Sequence, residues 1–255
     1  MSQPSINRQI DRWNNIKRQD INILKCYICD YENTINEYKI YKAYDKFNAG
    51  ELIRYKCPNC DVIFGDLRFL NLSKDEIDKD YQDVYSYIKE GDSAPYIITV
   101  FNRVDILKDK KLKYLDYACG EWNNSIEILS QHGYNIKGYD KYINGKNILN
   151  NLDENSKFDV IYNNNYAEHL INPLEDISYM LSFLEPNGYL VFITPCFDYC
   201  IEYTHYHTFY FSDKSLQIIA DKLNISFIKS YKLYLPYDNE NYTIVKIFQK
   251  NKITE

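Results

Sequence analysis

Four cysteines carry the most specific chemistry in this sequence. They form two pairs, Cys26-x-x-Cys29 and Cys57-x-x-Cys60. A two-residue spacer lets each pair fold as a knuckle that turns both thiolates toward one point, and two knuckles complete a tetrahedral four-thiolate site. A closed site of this kind leaves no open coordination position, so it supports structure and not catalysis. Structural zinc is the ion favoured by this spacing where thiols stay reduced; a rubredoxin-like iron site and a pair of redox disulfides are the other readings. Cys119, Cys196 and Cys200 lack such spacing. Cys119 reads as a small packed residue. Cys196 and Cys200 read as packing in preference to a labile thiol pair.

A second group of residues suits a nucleotide. Tyr114-Leu-Asp-Tyr-Ala-Cys-Gly120 has the order strand, acidic residue, tight turn, then helix. In a doubly wound sheet the ligand lies beyond the carboxyl ends of the strands, and a turn made of Ala118 and Gly120 lets it approach the backbone. About twenty residues later Ile136-Lys-Gly-Tyr-Asp140 ends on an acid able to accept hydrogen bonds from both hydroxyls of a ribose.

These residues need elements to hold them. Ile6, Ile10, Trp13 and Ile16 lie at helical spacing and predict a polar helix over 4–19. Short strand-like pieces follow from Cys26 to Phe69. Ser73-Lys-Asp-Glu76 is a capping box that opens a helix bearing Tyr81, Val84, Tyr85 and Ile88, broken at Gly91–Pro95. A second helix is expected over 96–107. From residue 112 strands and helices alternate. Strands are expected over 112–117, 135–139, 147–149, 158–162, 189–194, 225–234 and 242–249, and helices over 125–132, 173–184 and 212–223. This alternation predicts an α/β fold, a Rossmann-like doubly wound and mostly parallel sheet, with right-handed crossovers placing helices on both faces. The expected division is an N-terminal helix and zinc ribbon over 1–72, a helical linker or cap over 73–110, and the large domain over 111–255.

Five blocks in register across residues 112–223 resemble class I S-adenosylmethionine-dependent methyltransferases. Leu115-Asp-Tyr-Ala-Cys-Gly120 is similar to their first motif, usually Leu-Asp-x-Gly-x-Gly-x-Gly, and Gly138-Tyr-Asp140 to their second. Phe158-Asp-Val-Ile161 resembles the fourth strand, and Glu168-His-Leu-Ile-Asn-Pro173 the Glu-His-Leu-x-x-Pro segment of one large branch. Leu184-Glu-Pro-Asn-Gly188 with Leu190-Val-Phe-Ile-Thr-Pro195 resembles the "Leu-x-Pro-Gly-Gly, strand, Thr-Pro" block. Ala118 and Trp122 stand where the motif has glycines, which implies a different hold on the methionine end of the cofactor. The cysteine segment, from Arg54 through Asp61-Val-Ile-Phe64 to Tyr81, resembles the zinc ribbon ahead of many bacterial methyltransferase domains, including those of sugar and capsule gene clusters. The resemblance implies S-adenosylmethionine as cofactor, with Asp116, Ala118, Gly120 and Asp140 binding it, Asn163 lining its pocket and Tyr81 reaching it from the linking helix.

Methyl transfer is an in-line displacement, and proximity alone can supply roughly 7–11 kcal/mol. A base is needed only for a neutral hydroxyl or carbon acceptor. His169 follows the fourth strand, and His205 and His207 precede Phe209-Tyr-Phe-Ser212. His207 fits the His-x-x-x-Phe-Ser pattern of the resemblance. These three histidines are the catalytic candidates, each with ordinary loop hydrogen bonding as the bland reading. Glu168, His169 and a later histidine also resemble a divalent-metal set, but Asn165 stands where that set has its first Glu.

Composition narrows the function. The 255 residues carry a formal net charge of -6, which speaks against a phosphate-backbone partner, so nucleic acid is not the expected acceptor. Hydrophobic residues make up 45%, enough for a sizeable core. The 27 tyrosines accompany abundant Asn, Ile and Lys and read as compositional bias. No apolar run reaches the ~20 residues of a membrane span, and 1–20 lacks a signal peptide, so a cytoplasmic protein is expected. The sequence thus points to O-methylation of a small-molecule acceptor, a precursor of a surface glycan such as a sugar, sugar nucleotide or phosphoramidate. An RNA or protein methyltransferase with the ribbon as reader, and a non-catalytic nucleotide-binding module, are the alternatives. Oligomeric state has no sequence signal here.

Overall fold

The computed structural model describes residues 10–252 apart from 12, 19, 49, 86–90, 122–123, 144–146, 150, 198–203 and 236–237. Ile6, Ile88, Trp122 and Cys200 lie outside the described residues, as do the side chains of Val84 and Tyr85. In chain order the strands and helices are β1 (Ile23–Lys25), β2 (Glu32–Thr34), β3 (Lys39–Tyr44), β4 (Glu51–Lys56), β5 (Ile63–Gly65), α1 (Leu67–Leu70), α2 (Lys74–Tyr85), α3 (Ala94–Arg103), β6 (Lys113–Tyr117), α4 (Ser125–Gln131), β7 (Asn135–Tyr139), β8 (Ile148–Leu149), β9 (Phe158–Asn164), α5 (Pro173–Ser182), β10 (Leu184–Thr194), β11 (Phe209–Tyr210), α6 (Asp213–Lys222), β12 (Ile225–Leu235) and β13 (Asp238–Lys250). They divide into two compact units. One gathers the described residues of Met1–Lys89, Glu168–Pro173 and Cys196–Ile219; the other those of Glu90–Ala167, Leu174–Pro195 and Ala220–Glu255.

In the first unit β1 pairs with β2, and a second sheet has the order β11-β5-β4-β3. All its pairings are antiparallel. β11 joins far from its own sequence neighbours: Phe209 lies opposite Phe64, and Tyr210 opposite Ile63. A two-residue strand carries no alternation of its own, so this pairing had no local signal. The Phe64 and Phe209 rings stack at 6.3 Å. The capping box expected at α2 forms: the Ser73 amide donates to the Glu76 carboxylate (2.8 Å), and the Glu76 amide donates to the Ser73 hydroxyl (3.4 Å).

The second unit is built on a seven-stranded sheet of order β12-β13-β10-β9-β6-β7-β8. β13 runs antiparallel to both neighbours, and the other pairings are parallel. The sheet is therefore mixed, and the doubly wound fold expected from the alternation is present. Strand order reverses between β6 and β9, the switch point at which such sheets open a crevice beyond their carboxyl ends. Helices α3 and α4 supply Val100, Phe101, Ile126 and Leu129 to a core shared with Tyr114, Val160, Tyr162, Val191 and Val245. α4 lies close to β7: a Cβ on Gly138 would meet Cys119 Sγ and Ile126 Cδ1 at 2.7 Å. The strand expected from Tyr189 begins earlier, at Leu184, with a register shift between these two residues. The Glu-Pro-Asn-Gly segment that stops α5 thus lies within that strand run. Among the described residues no helix is long and apolar enough to cross a membrane.

Candidate functional site

The turn expected to approach a nucleotide follows β6. Ala118 and Gly120 have φ of 59° and 64°, so two left-handed residues bend the chain sharply toward α4. The position costs an alanine roughly 1–2 kcal/mol, whereas glycine takes it freely. A Cβ added at Gly120 would meet nothing within 4 Å, so the turn presents an open face. Asp140, at the end of β7, ties the turn down: its Oδ2 accepts from the Gly120 amide (3.0 Å) and its Oδ1 from the Tyr142 amide (2.8 Å). Burial raises the Asp140 pKa above the usual carboxylate value, and the backbone donors only partly offset this. The Cys119 amide donates to the Tyr139 carbonyl (3.1 Å), locking the two strand ends together.

Asp116 lies one layer below. It is fully buried and accepts from the Tyr162 hydroxyl at 3.0 Å. Burial holds that phenol in its protonated, donating form. Asn163 alternates with Tyr162 along β9 and is also fully buried; its amide approaches Met180 Sδ of α5 at 3.7 Å. Gly120 and Asp140 are therefore hydrogen-bonded, with Ala118 in the same turn; Asp116 braces the strand beneath it, and Asn163 packs against α5.

The four cysteines converge in the first unit. Their sulfurs all lie within 4.8 Å of one another, with Cys26–Cys60 and Cys29–Cys57 at 3.6 Å. Tetrahedral zinc with bonds of about 2.3 Å places its sulfurs roughly 3.8 Å apart, so the residues fit the ion. The two knuckles repeat one geometry. In each, the residue after the second cysteine takes a left-handed turn, Asp30 at φ 58° and Asp61 at φ 62°. In each, that residue's amide donates to the first cysteine's carbonyl. The Cys60 hydrogen bond pulls the Cys26 thiol down to about 6, and burial pushes the Cys57 thiol up to about 12. Without a cation only part of the set ionises; four thiolates this close require one.

His169, His205 and His207 also belong to the first unit. His169 Nδ1 faces the Tyr206 carbonyl (3.1 Å) and the Tyr81 hydroxyl (3.3 Å). A carbonyl only accepts, so Nδ1 carries the proton and Nε2 the lone pair. Burial lowers the His169 pKa to about 4 and that of His207 well below the ordinary value, so both rings are neutral at pH 7. Their centroids lie 4.8 Å apart, edge to face. His205 is held differently. Its amide and Nδ1 both donate to Asp45 Oδ1, at 2.7 and 2.9 Å, and its ring packs between Trp13 and Tyr206. The structure thus brings Tyr81, His169 and His207 together and sets His205 in a packed, hydrogen-bonded seat.

The sequence did not single out Arg54, and it set Glu168 with a later histidine but without Cys196. Arg54, fully buried, donates to the His207 and Thr204 carbonyls at 3.0 and 2.6 Å and so shapes the histidine loop. Glu168, Cys196 and His207 bring ligand atoms within 4.8 Å of one another. Neither grouping has a motif, because its members are far apart in the chain.

A profile of the methyltransferase-domain family matches residues 94–254, and the chain belongs to that family. It is a class I S-adenosylmethionine-dependent methyltransferase, as the sequence blocks implied. The Burkholderia thailandensis 1,6-didemethyltoxoflavin-N1-methyltransferase, solved with 1,6-didemethyltoxoflavin and S-adenosylhomocysteine bound, aligns with a TM-score of 0.50 at 12% identity, over 79% of this chain and 96% of its own. A Clostridium acetobutylicum S-adenosylmethionine-dependent methyltransferase gives a TM-score of 0.44 at 10% identity, over 69% and 98%. One from Methanosarcina mazei gives 0.42 at 15% identity, over 56% and 94%. At such identities the likeness concerns the fold alone. No curated protein matches the sequence.

Proposed function

We propose that the enzyme methylates an oxygen of a small-molecule precursor of a surface glycan: a sugar, a sugar nucleotide, or a phosphoramidate or other phosphoryl group. The observation that carries this reading is the placement of the histidine loops. Glu168–Pro173 and Cys196–Ile219 cluster with the cysteine-bearing unit and not with the sheet. The carboxyl edge of the seven-stranded sheet serves the cofactor. Residues 1–72 act as helix and ribbon, 73–110 as linker and cap, and 111–255 as the methyltransferase segment. Four thiolates, from Cys26, Cys29, Cys57 and Cys60, hold a structural zinc.

Bound S-adenosylmethionine supplies a methyl group on a sulfonium, with a good leaving group. The chain's own residues do the rest. Asp140 accepts from the ribose hydroxyls with the lone pairs its backbone donors leave. Ala118 and Gly120 keep the turn open, and Asp116 and Asn163 support the strand ends beneath it. Tyr81 lies on the capping helix. His169, neutral and with Nε2 as acceptor, takes the proton of a hydroxyl acceptor, a contribution of about 10²–10⁴-fold. His207 orients the acceptor beside it, and His205 positions the loop through Asp45. An anionic phosphoryl oxygen needs no base. The net charge of -6 favours a small acceptor over nucleic acid, and a cytoplasmic setting suits both the thiolates and the cofactor.

The test is S-adenosylhomocysteine release from the purified protein, offered sugar nucleotides, phosphorylated sugars, RNA and peptides in turn, with mass spectrometry of the product. Turnover on a sugar-bearing acceptor, with one added methyl on oxygen, supports the reading. Turnover on RNA or peptide alone replaces it with a macromolecular acceptor read by the ribbon.

A further inference from the structure

We propose that Glu168, Cys196 and His207 form a second metal site, made of residues other than the four-cysteine set, that binds zinc through three protein ligands and leaves its fourth position open. The inference holds whatever the methyl acceptor proves to be.

Three chain segments contribute one donor each, and all three side chains are buried, at 2%, 5% and 6% exposure. Their ligand atoms lie within 4.8 Å of one another. A tetrahedral ion with bonds of about 2.0–2.3 Å needs ligand atoms roughly 3.3–3.7 Å apart, so closing on the ion takes small side-chain movements. Gathering a carboxylate, a thiol and an imidazole away from water is costly, and a divalent cation compensates that cost directly. The donor set chooses the ion. Hard calcium and magnesium prefer all-oxygen sites, whereas one sulfur, one nitrogen and one oxygen suit zinc. Three protein ligands and one exchangeable position distinguish such a site from the closed four-thiolate one.

The surrounding backbone is already fixed. The Thr208 amide and hydroxyl both donate to the Glu168 carbonyl, at 2.7 and 3.0 Å, and the hydroxyl also reaches the Leu170 carbonyl at 2.5 Å. Arg54 holds the His207 and Thr204 carbonyls. Outer contacts of this kind orient ligands before the metal arrives. Charge gives the class of the fourth ligand. Zinc with an ionised Glu168 and Cys196 is neutral, and Arg54 beside His207 adds one positive charge. The open position therefore favours water or an anionic oxygen or sulfur donor.

Metal content of the full chain, purified from zinc-supplemented cells and measured by plasma mass spectrometry, tests this without an activity assay. Two zinc ions per chain are expected, falling to one in Cys196→Ser and in His207→Gln. One zinc in the wild type, or two retained in Cys196→Ser, overturns the site. Should Cys196→Ser lose all its zinc by unfolding, cobalt exchange into the wild-type protein decides. A mild chelator should empty the open site first, and its cobalt spectrum should shift on adding azide, because only an open position takes an exogenous anion. Cobalt bands of a four-thiolate site alone, unmoved by azide, refute the proposal.

Discussion

At the carboxyl edge of the seven-stranded sheet, Ala118, Gly120 and Asp140 come from two adjacent strand ends, and the Gly120 amide ties the turn to Asp140. In the ribbon unit, Asp45, Glu168, Cys196, His205 and His207 come from distant stretches and meet only through folding. The first region owes its shape to local geometry and the second to tertiary convergence. A turn of the first kind can be read as a motif. A cluster of the second kind depends on the four-cysteine segment and a two-residue strand to hold its loops, and so should fail more readily when its supports are removed.

The largest effect should come from the ribbon. Cys60→Ser should strip the zinc, whose binding is worth about 10 kcal/mol or more in small zinc domains. The first unit should lose its cooperative transition in calorimetry while S-adenosylmethionine affinity changes little. Equal loss of cofactor binding would show that the two regions stand or fall together. Next, Asp140→Ala should weaken cofactor binding by about 2–3 kcal/mol, the value of hydrogen bonds to a charged group, with the zinc content unchanged. Unaltered affinity by titration calorimetry would remove Asp140 from the cofactor site.

Acid should separate the regions by sign. His169 has its folded pKa lowered to about 4, so in acid the unfolded chain takes up the proton first. Its stabilising contribution is complete above about pH 6.5 and is lost as pH falls toward 4, by roughly 1–3 kcal/mol for this partly buried ring. Asp140, with a raised pKa, binds its proton more tightly when folded and contributes in the opposite direction. Urea melts followed by tryptophan fluorescence at pH 7, 5.5 and 4.5 should show the loss; a flat profile would contradict the neutral histidine. The smallest effect belongs to the capping box. Ser73→Ala should cost about 0.5–2 kcal/mol in thermal melts and leave metal content intact.

Most of the sheet was legible because each strand and helix carries its own periodicity. The seven expected strands of the large domain match β6–β10, β12 and β13, with β10 and β13 beginning earlier than expected, at Leu184 and Asp238. The cysteine knuckles were legible because both members of each pair sit within one turn. β11 was not, since Phe209 and Tyr210 find their partners in Ile63 and Phe64. Cys196 read as packing for the same reason: Glu168 and His207, which it meets, lie outside its local segment.

The sequence by itself determined the methyltransferase fold, the turn after β6 and the two cysteine knuckles, because these follow from hydrophobic period, turn chemistry and short spacings that act within a few residues. Only the tertiary structure decided where the histidines lie and what they meet. Burial, and with it the neutral state of His169 and His207, arises from contacts between distant segments, as does the approach of Glu168 and Cys196 to His207, and no local pattern encodes either.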